Sequence, residues 1–236
     1  MERLREKLSK IDIEISDNQL HQFQVYYDMI IEKNKVMNLT TITDIEEFID
    51  KHFVDSVAIG RFIDMKKEYY LIDVGTGAGF PGIPLKIMYP NLKVVLLDSL
   101  NKRVKFLEEV IERLELSDIR GVHFRAEDGG RQVELREQFD ICVSRAVANL
   151  TTLSEYCLPF VKVNGYFISY KAGNLQEELD NSKHGISILG GKIEKCEHLI
   201  LPETDIDRNF VFINKTRNTP KAYPRKPGIA SKNPLT

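Results

Sequence analysis

The run LIDVGTGAGFPGIPL, residues 71–85, sets a carboxylate, Asp73, two positions ahead of a loop with four glycines in eight residues: Gly75, Gly77, Gly79 and Gly82. Glycine reaches positive φ without steric cost and lets the backbone approach a ligand closely. Gly77, Gly79 and Gly82 also have the spacing of a dinucleotide fingerprint, so spacing alone leaves two ligand classes open. Charge separates them. Asp73 repels a pyrophosphate and attracts a ligand that carries an ammonium or sulfonium group. Pro81 and Pro84 each remove an N–H from the turn that would cradle a phosphate, although proline at a helix start has ordinary structural reasons too. Together these residues favour S-adenosyl-L-methionine, cationic at its methionine end and free of phosphate, over NAD. Asp98 closes the run KVVLLD at the place where an acid takes ribose hydroxyls in either class. Ala126 and Glu127, in RAED after the third strand-like run, are placed to meet an adenine ring. The acids there equally suit the first turn of a surface helix.

These residues need a sheet to hold them, and the pattern from Tyr69 onward supplies one. Strand-like runs YLIDV, KVVLLD, VHFRA, FDICVS, GYFISYK, EHLIL and FVFIN are separated, for the most part, by helix-like runs such as NKRVKFLEEVIERLEL and LTTLSEYCLPFV. Strand–helix alternation predicts βαβ units and a parallel sheet with helices on both faces. The link PETDIDRN between the last two strands is too short for a parallel crossover, so that pair is expected to run antiparallel. The fold class is therefore α/β, with seven mostly parallel strands. Before it, residues 1–65 read as a helical cap. Ser16 with Gln19 and Thr43 with Glu46 make two capping boxes ahead of apolar residues at helical spacing. Residues 66–216 form the ligand-binding core, and residues 217–236, rich in proline and basic side chains, form a tail expected to be extended and without helix.

Composition narrows the partners. Seven of the 33 Lys and Arg residues fall between Arg208 and Thr236, and all 35 acidic residues fall elsewhere. A basic segment on an acidic body suits a polyanionic partner, or else a solvated tail that serves solubility. No apolar run approaches the length of a membrane span, and the charged start MERLREKLSK has no apolar signal core. A cytoplasmic protein without a membrane partner is expected. Cys142, Cys157 and Cys196 match neither a disulfide framework nor a metal pattern, so no metal is expected and the cysteines read as small hydrophobes.

DVGTGAGFPGIPL, LDSLNKRVKFL, RAED, SRAVANL and the closing YPRKPG and KNPL, with KHFVDSV in the cap, resemble the RsmG family. These are bacterial 16S rRNA guanine-N7 methyltransferases, also called glucose-inhibited division protein B. The resemblance runs nearly end to end, with one departure: Ile229-Ala230 stands where a proline-containing step belongs. It implies a class I Rossmann-like methyltransferase fold. It also implies S-adenosylmethionine-dependent methylation of N7 of one guanine in the 530 loop, on the small ribosomal subunit or its precursor. It places Gly75 and Phe80 at the cofactor, with Asp98, Ala126, Glu127 and Arg145 completing the site. A monomer is expected.

The residues agree with such chemistry. Enzymes that methylate exocyclic amines often carry an Asn/Asp-Pro-Pro-aromatic motif after the fourth strand, where this chain has VSRAVANL. Guanine N7 has an in-plane lone pair and no proton to lose, so catalysis can be mostly positioning. Arg145 and Lys171 are the candidate positioning residues. Arg145 has two readings, a contact with guanine O6 or a phosphate and an ion pair with Asp73 or another site carboxylate. Lys171 meets phosphate or faces solvent. Phe80 stacks on a base or seals the loop against the core. His52 and Asp55 close over the site or serve their own helix. The tail cations with Lys102, Arg103 and Lys105 would contact RNA phosphates. Two rival classes are a nicotinamide-dependent oxidoreductase, from the glycine spacing and Asp98, and an RNA-binding module that keeps the cofactor as a structural ligand, from the basic tail.

Overall fold

The computed structural model describes residues 1–145 and 148–235; Ala146 and Val147 of the SRAVANL motif, and Thr236, lie outside the described residues. The strands are β1 (Tyr70–Val74), β2 (Lys93–Asp98), β3 (Ile119–His123), β4 (Phe139–Ser144), β5 (Val161–Lys171), β6 (Gly191–Ile200) and β7 (Asp207–Lys215). They form one sheet in the order β3-β2-β1-β4-β5-β7-β6. Neighbours from β3 to β5 pair in parallel, and β7 runs antiparallel to both β5 and β6. The reversed strand is therefore the last one, inserted beside β5 as a hairpin with β6. Strand order changes direction between β1 and β4, the switch point where open α/β sheets bind ligands.

The inner strands are apolar throughout because both faces of the sheet are covered. Leu71, Leu96, Ile141 and Ile168 point to one face. There they meet α5 (Gly82–Met88), α6 (Asn101–Arg113) and the N-terminal helices α1 (Glu2–Ser9) and α2 (Asp17–Met37). Ile72, Leu97, Cys142 and Phe167 point to the other face, against α8 (Leu150–Cys157) and α9 (Gln176–Ile188). The capping box at Ser16 and Gln19 is present at the start of α2. The second one differs: α3 (Ile45–Phe48) is capped by Asp44, whose carboxylate accepts from the Glu46 and Glu47 amides, because the helix starts one residue later than Thr43 would set it.

Two other expectations change. The third strand ends at His123, so Arg125 lies in the loop and Ala126 opens the short helix α7 (Ala126–Gly129). As an edge strand, β3 is only half-buried, and Arg120 and Gly121 break its apolar pattern. The C-terminal segment is not wholly extended: α10 (Ile229–Lys232) forms one turn. Ile229, standing where a proline step was expected, keeps an amide that donates to Lys226 O, a bond a proline at 229 would lack, and the Asn233 amide donates to Ile229 O.

After α3 the chain continues through a π-helical stretch, Ile49–Val54, and the short helix α4 (Asp55–Val57). Such wide turns are frequent at functional sites. This one carries Lys51 and His52, with Asp55 just after it, to the carboxyl ends of β1, β4 and β5.

Candidate active site

Two cavities open at the carboxyl end of the sheet and meet at Gly75 and Arg103. The smaller, about 460 Å³, is lined by Gly75, Asp98, Phe124, Ala126 and Glu127 among others. The larger, about 1060 Å³, is lined by Gly77, Phe80, His52, Asp55, Arg145 and Lys171 among others. The glycine loop is the partition between them. Gly75 and Gly77 hold φ of +75° and +62°, and a Cβ on either would meet no atom within 4 Å. They are glycines for backbone conformation, and the space beside them is open to a ligand. Gly82 is a glycine for packing instead, since a Cβ there would lie 2.3 Å from Leu96 Cδ2.

Asp73 is not at the mouth of the cleft. It is fully buried beneath the loop, where Oδ2 accepts from the Thr76 hydroxyl at 2.6 Å and the Gly82 amide at 2.8 Å. Its first role is to brace the loop. Oδ1 is buried with no donor from the protein, and burial pushes the carboxyl up to about 7. Asp98 is the second brace: Oδ2 accepts from the Gly77 amide and Oδ1 from the Leu100 amide, while Arg103 approaches at 3.5 Å. It also lines the smaller cavity.

These bonds test what the loop can hold. Seven backbone N–H groups between Gly75 and Ile83 donate inside the protein: two to Leu97 O, two to Thr76 O, and one each to Gly79 O, Asp98 and Asp73. A pyrophosphate needs such groups free. A cationic ligand without phosphate does not, and an unpartnered buried carboxylate oxygen favours one. The residues fit S-adenosyl-L-methionine and not a dinucleotide.

The larger cavity is walled by interlocked charges. Arg145, after β4, donates to Asp55 Oδ2 at 2.9 Å and to Lys51 O at 3.0 Å. Arg208, on β7, donates to the other Asp55 oxygen at 2.7 Å. Asp55 is 1% exposed, so two cations compensate one buried carboxylate and tie the helical region to two strands. Arg145 thus takes its ion-pair reading, but with Asp55 and not with Asp73. Phe80 seals the loop: it is 6% exposed, His52 stacks on it with ring centres 4.6 Å apart, and the Arg145 guanidinium lies 5.0 Å from its ring centre. Arginine only donates, so His52 Nδ1 accepts from Arg145, and the proton on Nε2 faces Thr40 Oγ1 at 2.9 Å. Burial, with Arg145 and Lys51 nearby, drives the imidazole down to about 3, so it stays neutral. Lys171 is neither solvent-facing nor free: its ammonium donates to Glu178 at 2.6 Å and to Ala148 O at 2.8 Å. Arg103, which lines both cavities, is one-third exposed and, among the described residues, is held by a long contact to Asp98.

Several residues escaped the sequence reading. Arg208 and Lys215 were counted with the basic tail, yet both lie in β7. Lys215 is fully buried, donates to Leu158 O and Val161 O, and is pushed down to about 8 by burial. Arg225 is paired with buried Glu155. A cation inside the apolar run RNFVFINK was the available signal for Arg208 and Lys215. Tyr26, which anchors the loop by donating to Ala78 O at 2.7 Å, gave no signal beyond helical periodicity.

Known proteins resemble this chain over its length and in its fold. A "Ribosomal RNA small subunit methyltransferase G" of Acetivibrio thermocellus is 57% identical over 99% of this chain and 96% of its own. One of Lachnoclostridium phytofermentans is 51% identical over 97% and 94%. Among solved structures, TYW2 of M. jannaschii in complex with AdoMet superposes with a TM-score of 0.51 at 16% identity, over 64% of this chain and 73% of that one. Fibrillarin of Aeropyrum pernix with S-adenosyl-L-methionine gives 0.51 at 13% identity, over 67% and 72%. At such identities the structures speak for the fold alone, a Rossmann-like methyltransferase sheet. The family model for rRNA small subunit methyltransferase G matches residues 19–208. With the loop, the switch-point cavities and these relatives agreeing, the chain belongs to the rRNA small subunit methyltransferase G family and is an S-adenosyl-L-methionine-dependent methyltransferase.

Proposed function

We propose that this chain methylates N7 of a single guanine in the 530 loop of 16S rRNA, on the small ribosomal subunit or its precursor. The observation that carries the reading is the state of the bases in the larger cavity. Asp55 is held by two arginines, Glu178 by Lys171, and both ring nitrogens of His52 have partners. Among the described lining residues both Asp55 oxygens and both His52 ring nitrogens are engaged, and Glu178 is engaged through Oε1 alone. An exocyclic amine must lose a proton on methylation; guanine N7 does not, and its lone pair attacks directly. The cofactor supplies a methyl group activated on a sulfonium. The protein then contributes position and charge.

The smaller cavity takes the adenosine, with Asp98 at the ribose and Ala126 and Glu127 at the base. Asp73 Oδ1 favours the cationic end beyond Gly75, Gly77 and Gly79. Arg145 and Lys171 are positioning residues, each fixed by a carboxylate and each stiffening the wall against which the guanine is held. The work divides along the chain: residues 1–65 close the substrate side, 66–216 bind and orient, and the basic segment 217–236 adds exposed Lys221, Lys226 and Lys232. With Lys102, Arg103 and Lys105 these meet phosphates, which fix register more than sequence. Extruding the guanine costs a few kcal/mol, drawn from those contacts. One copy of the chain supplies every residue named, and an rRNA substrate places the reaction in the cytoplasm.

Transfer of labelled methyl from S-adenosyl-L-methionine to small subunits that lack the modification tests the proposal. Stoichiometric labelling is expected. Intact subunit binding with no label above background would reduce the chain to a binding module.

A further inference from the structure

The C-terminal segment makes contacts that a phosphate-binding tail does not need. Gly228 and Ser231 line the smaller cavity together with Asp98, Ala126 and Glu127. The Gly228 amide donates to Glu127 Oε1 at 3.0 Å, so one oxygen of the proposed adenine-side acid is already spent on the segment. The segment is then latched to α8. Arg225 donates through its backbone N–H, Nε and Nη2 to the Glu155 carboxylate, which is 1% exposed, and Thr152 donates to Ala230 O. Arg136 holds Thr219 O and Tyr223 O, and Arg131 holds Pro224 O. Gly228 sits at φ +81° with open space where a Cβ would stand, as does Gly75, which lines the same cavity.

We infer that residues 225–231 are the outer wall of the nucleoside site, so that the adenosine of the cofactor is bound jointly by the sheet and by the C-terminal segment, with Glu127 as the shared member. The inference rests on assigning this cavity to the adenosine. It makes cofactor binding and docking of the segment reciprocal: each strengthens the other by the same factor. The sequence pointed the segment at a polyanion or at solvent; this inference gives its inner face to the nucleoside and leaves Lys226 and Lys232 exposed.

Two measurements with S-adenosylhomocysteine test this. Amide hydrogen exchange of residues 225–235 should slow when the full-length protein is saturated. Calorimetry on Arg225→Met combined with Glu155→Gln, which removes the ion pair of the latch without stranding a buried charge, should give a Kd about tenfold weaker, within the usual range of coupling between sites. Should that variant fold poorly, Ser231→Trp leaves the latch alone and fills the cavity, and the same loss is expected. Unchanged exchange, with affinity kept within about twofold in a folded variant, overturns the inference. So does weakened rRNA binding with cofactor affinity intact, which would assign the segment to RNA. No binding by the unmodified protein would bring down the adenosine assignment together with the wall; normal binding with an indifferent segment brings down the wall alone.

Discussion

Replacing Asp73 by asparagine removes one negative charge and little else. The asparagine carbonyl still accepts from the Thr76 hydroxyl and the Gly82 amide, so the loop stays braced. In the native chain burial holds this carboxyl at about 7, up from 3.8, and Oδ1 has no donor. If the cationic end of the cofactor binds over the loop only when the carboxyl beneath it is ionised, binding expels a proton. Below about pH 7 the dissociation constant then rises tenfold per pH unit. At about pH 5 it is roughly 100-fold weaker than at its plateau, or about 2.7 kcal/mol. In Asp73→Asn the slope disappears and affinity stays at the weak end. The sign for folding is opposite. Between about pH 4 and 7 the native state keeps a proton that the unfolded chain has lost, so this group's contribution fades as pH rises through about 7, by at most ~4 kcal/mol. Asp73→Asn should therefore melt no lower than the parent at alkaline pH. Calorimetry with S-adenosylhomocysteine across this range, in buffers of different ionisation enthalpy, counts the protons. A flat profile in the parent, or the same slope in the variant, would refute the charge role and leave Asp73 as a brace only.

The remaining predictions separate packing from binding. Gly82→Ala should destabilise the fold by about 1–3 kcal/mol through overpacking against Leu96. Gly77→Ala should weaken cofactor binding, because its Cβ enters open space beside the cleft, and should cost about 1–2 kcal/mol of backbone strain at φ +62° without overpacking; thermal melts and calorimetry on the pair check both. Arg103→Ala should weaken rRNA binding and lower the slope of log K against log salt by about 0.7–0.9, measured by titration at several salt concentrations. For His52, held neutral with its pKa at about 3, the unfolded chain takes up a proton as pH falls below about 6.5 and the native state does not. Stability is thus lost by about 1.4 kcal/mol per pH unit below that point. Denaturant melts of His52→Phe, which keeps the stack on Phe80, should show a shallower acid loss.

The sheet and the glycine loop were legible because their signals are local. YLIDV, KVVLLD and FDICVS are strands with the ranges their apolar runs mark, since strands covered on both faces read as continuous apolar runs. The short link before β7 foretold its reversal for a geometric reason. What the sequence hid is pairing at long range. Nothing local joins Asp55 to Arg145, 90 residues away, or to Arg208, 153 away. For the same reason Arg208, Lys215 and Arg225 were counted as tail cations although each serves the folded body. Asp73 shows a subtler limit. Its charge and position were readable, but burial depends on packing across the sheet and decides that it lies beneath the loop, partly protonated, instead of at the entrance.

The most direct measurement is the position of the added methyl on 16S rRNA treated with this protein and S-adenosyl-L-methionine, mapped by mass spectrometry of nuclease fragments and by the borohydride and aniline cleavage that 7-methylguanine permits. The account predicts one added methyl, on N7 of a guanine in the 530 loop. A methyl on an exocyclic amine or on ribose would contradict it, because such a product requires a proton acceptor, and Asp55 and His52 on the cavity wall have every acceptor atom and ring nitrogen engaged.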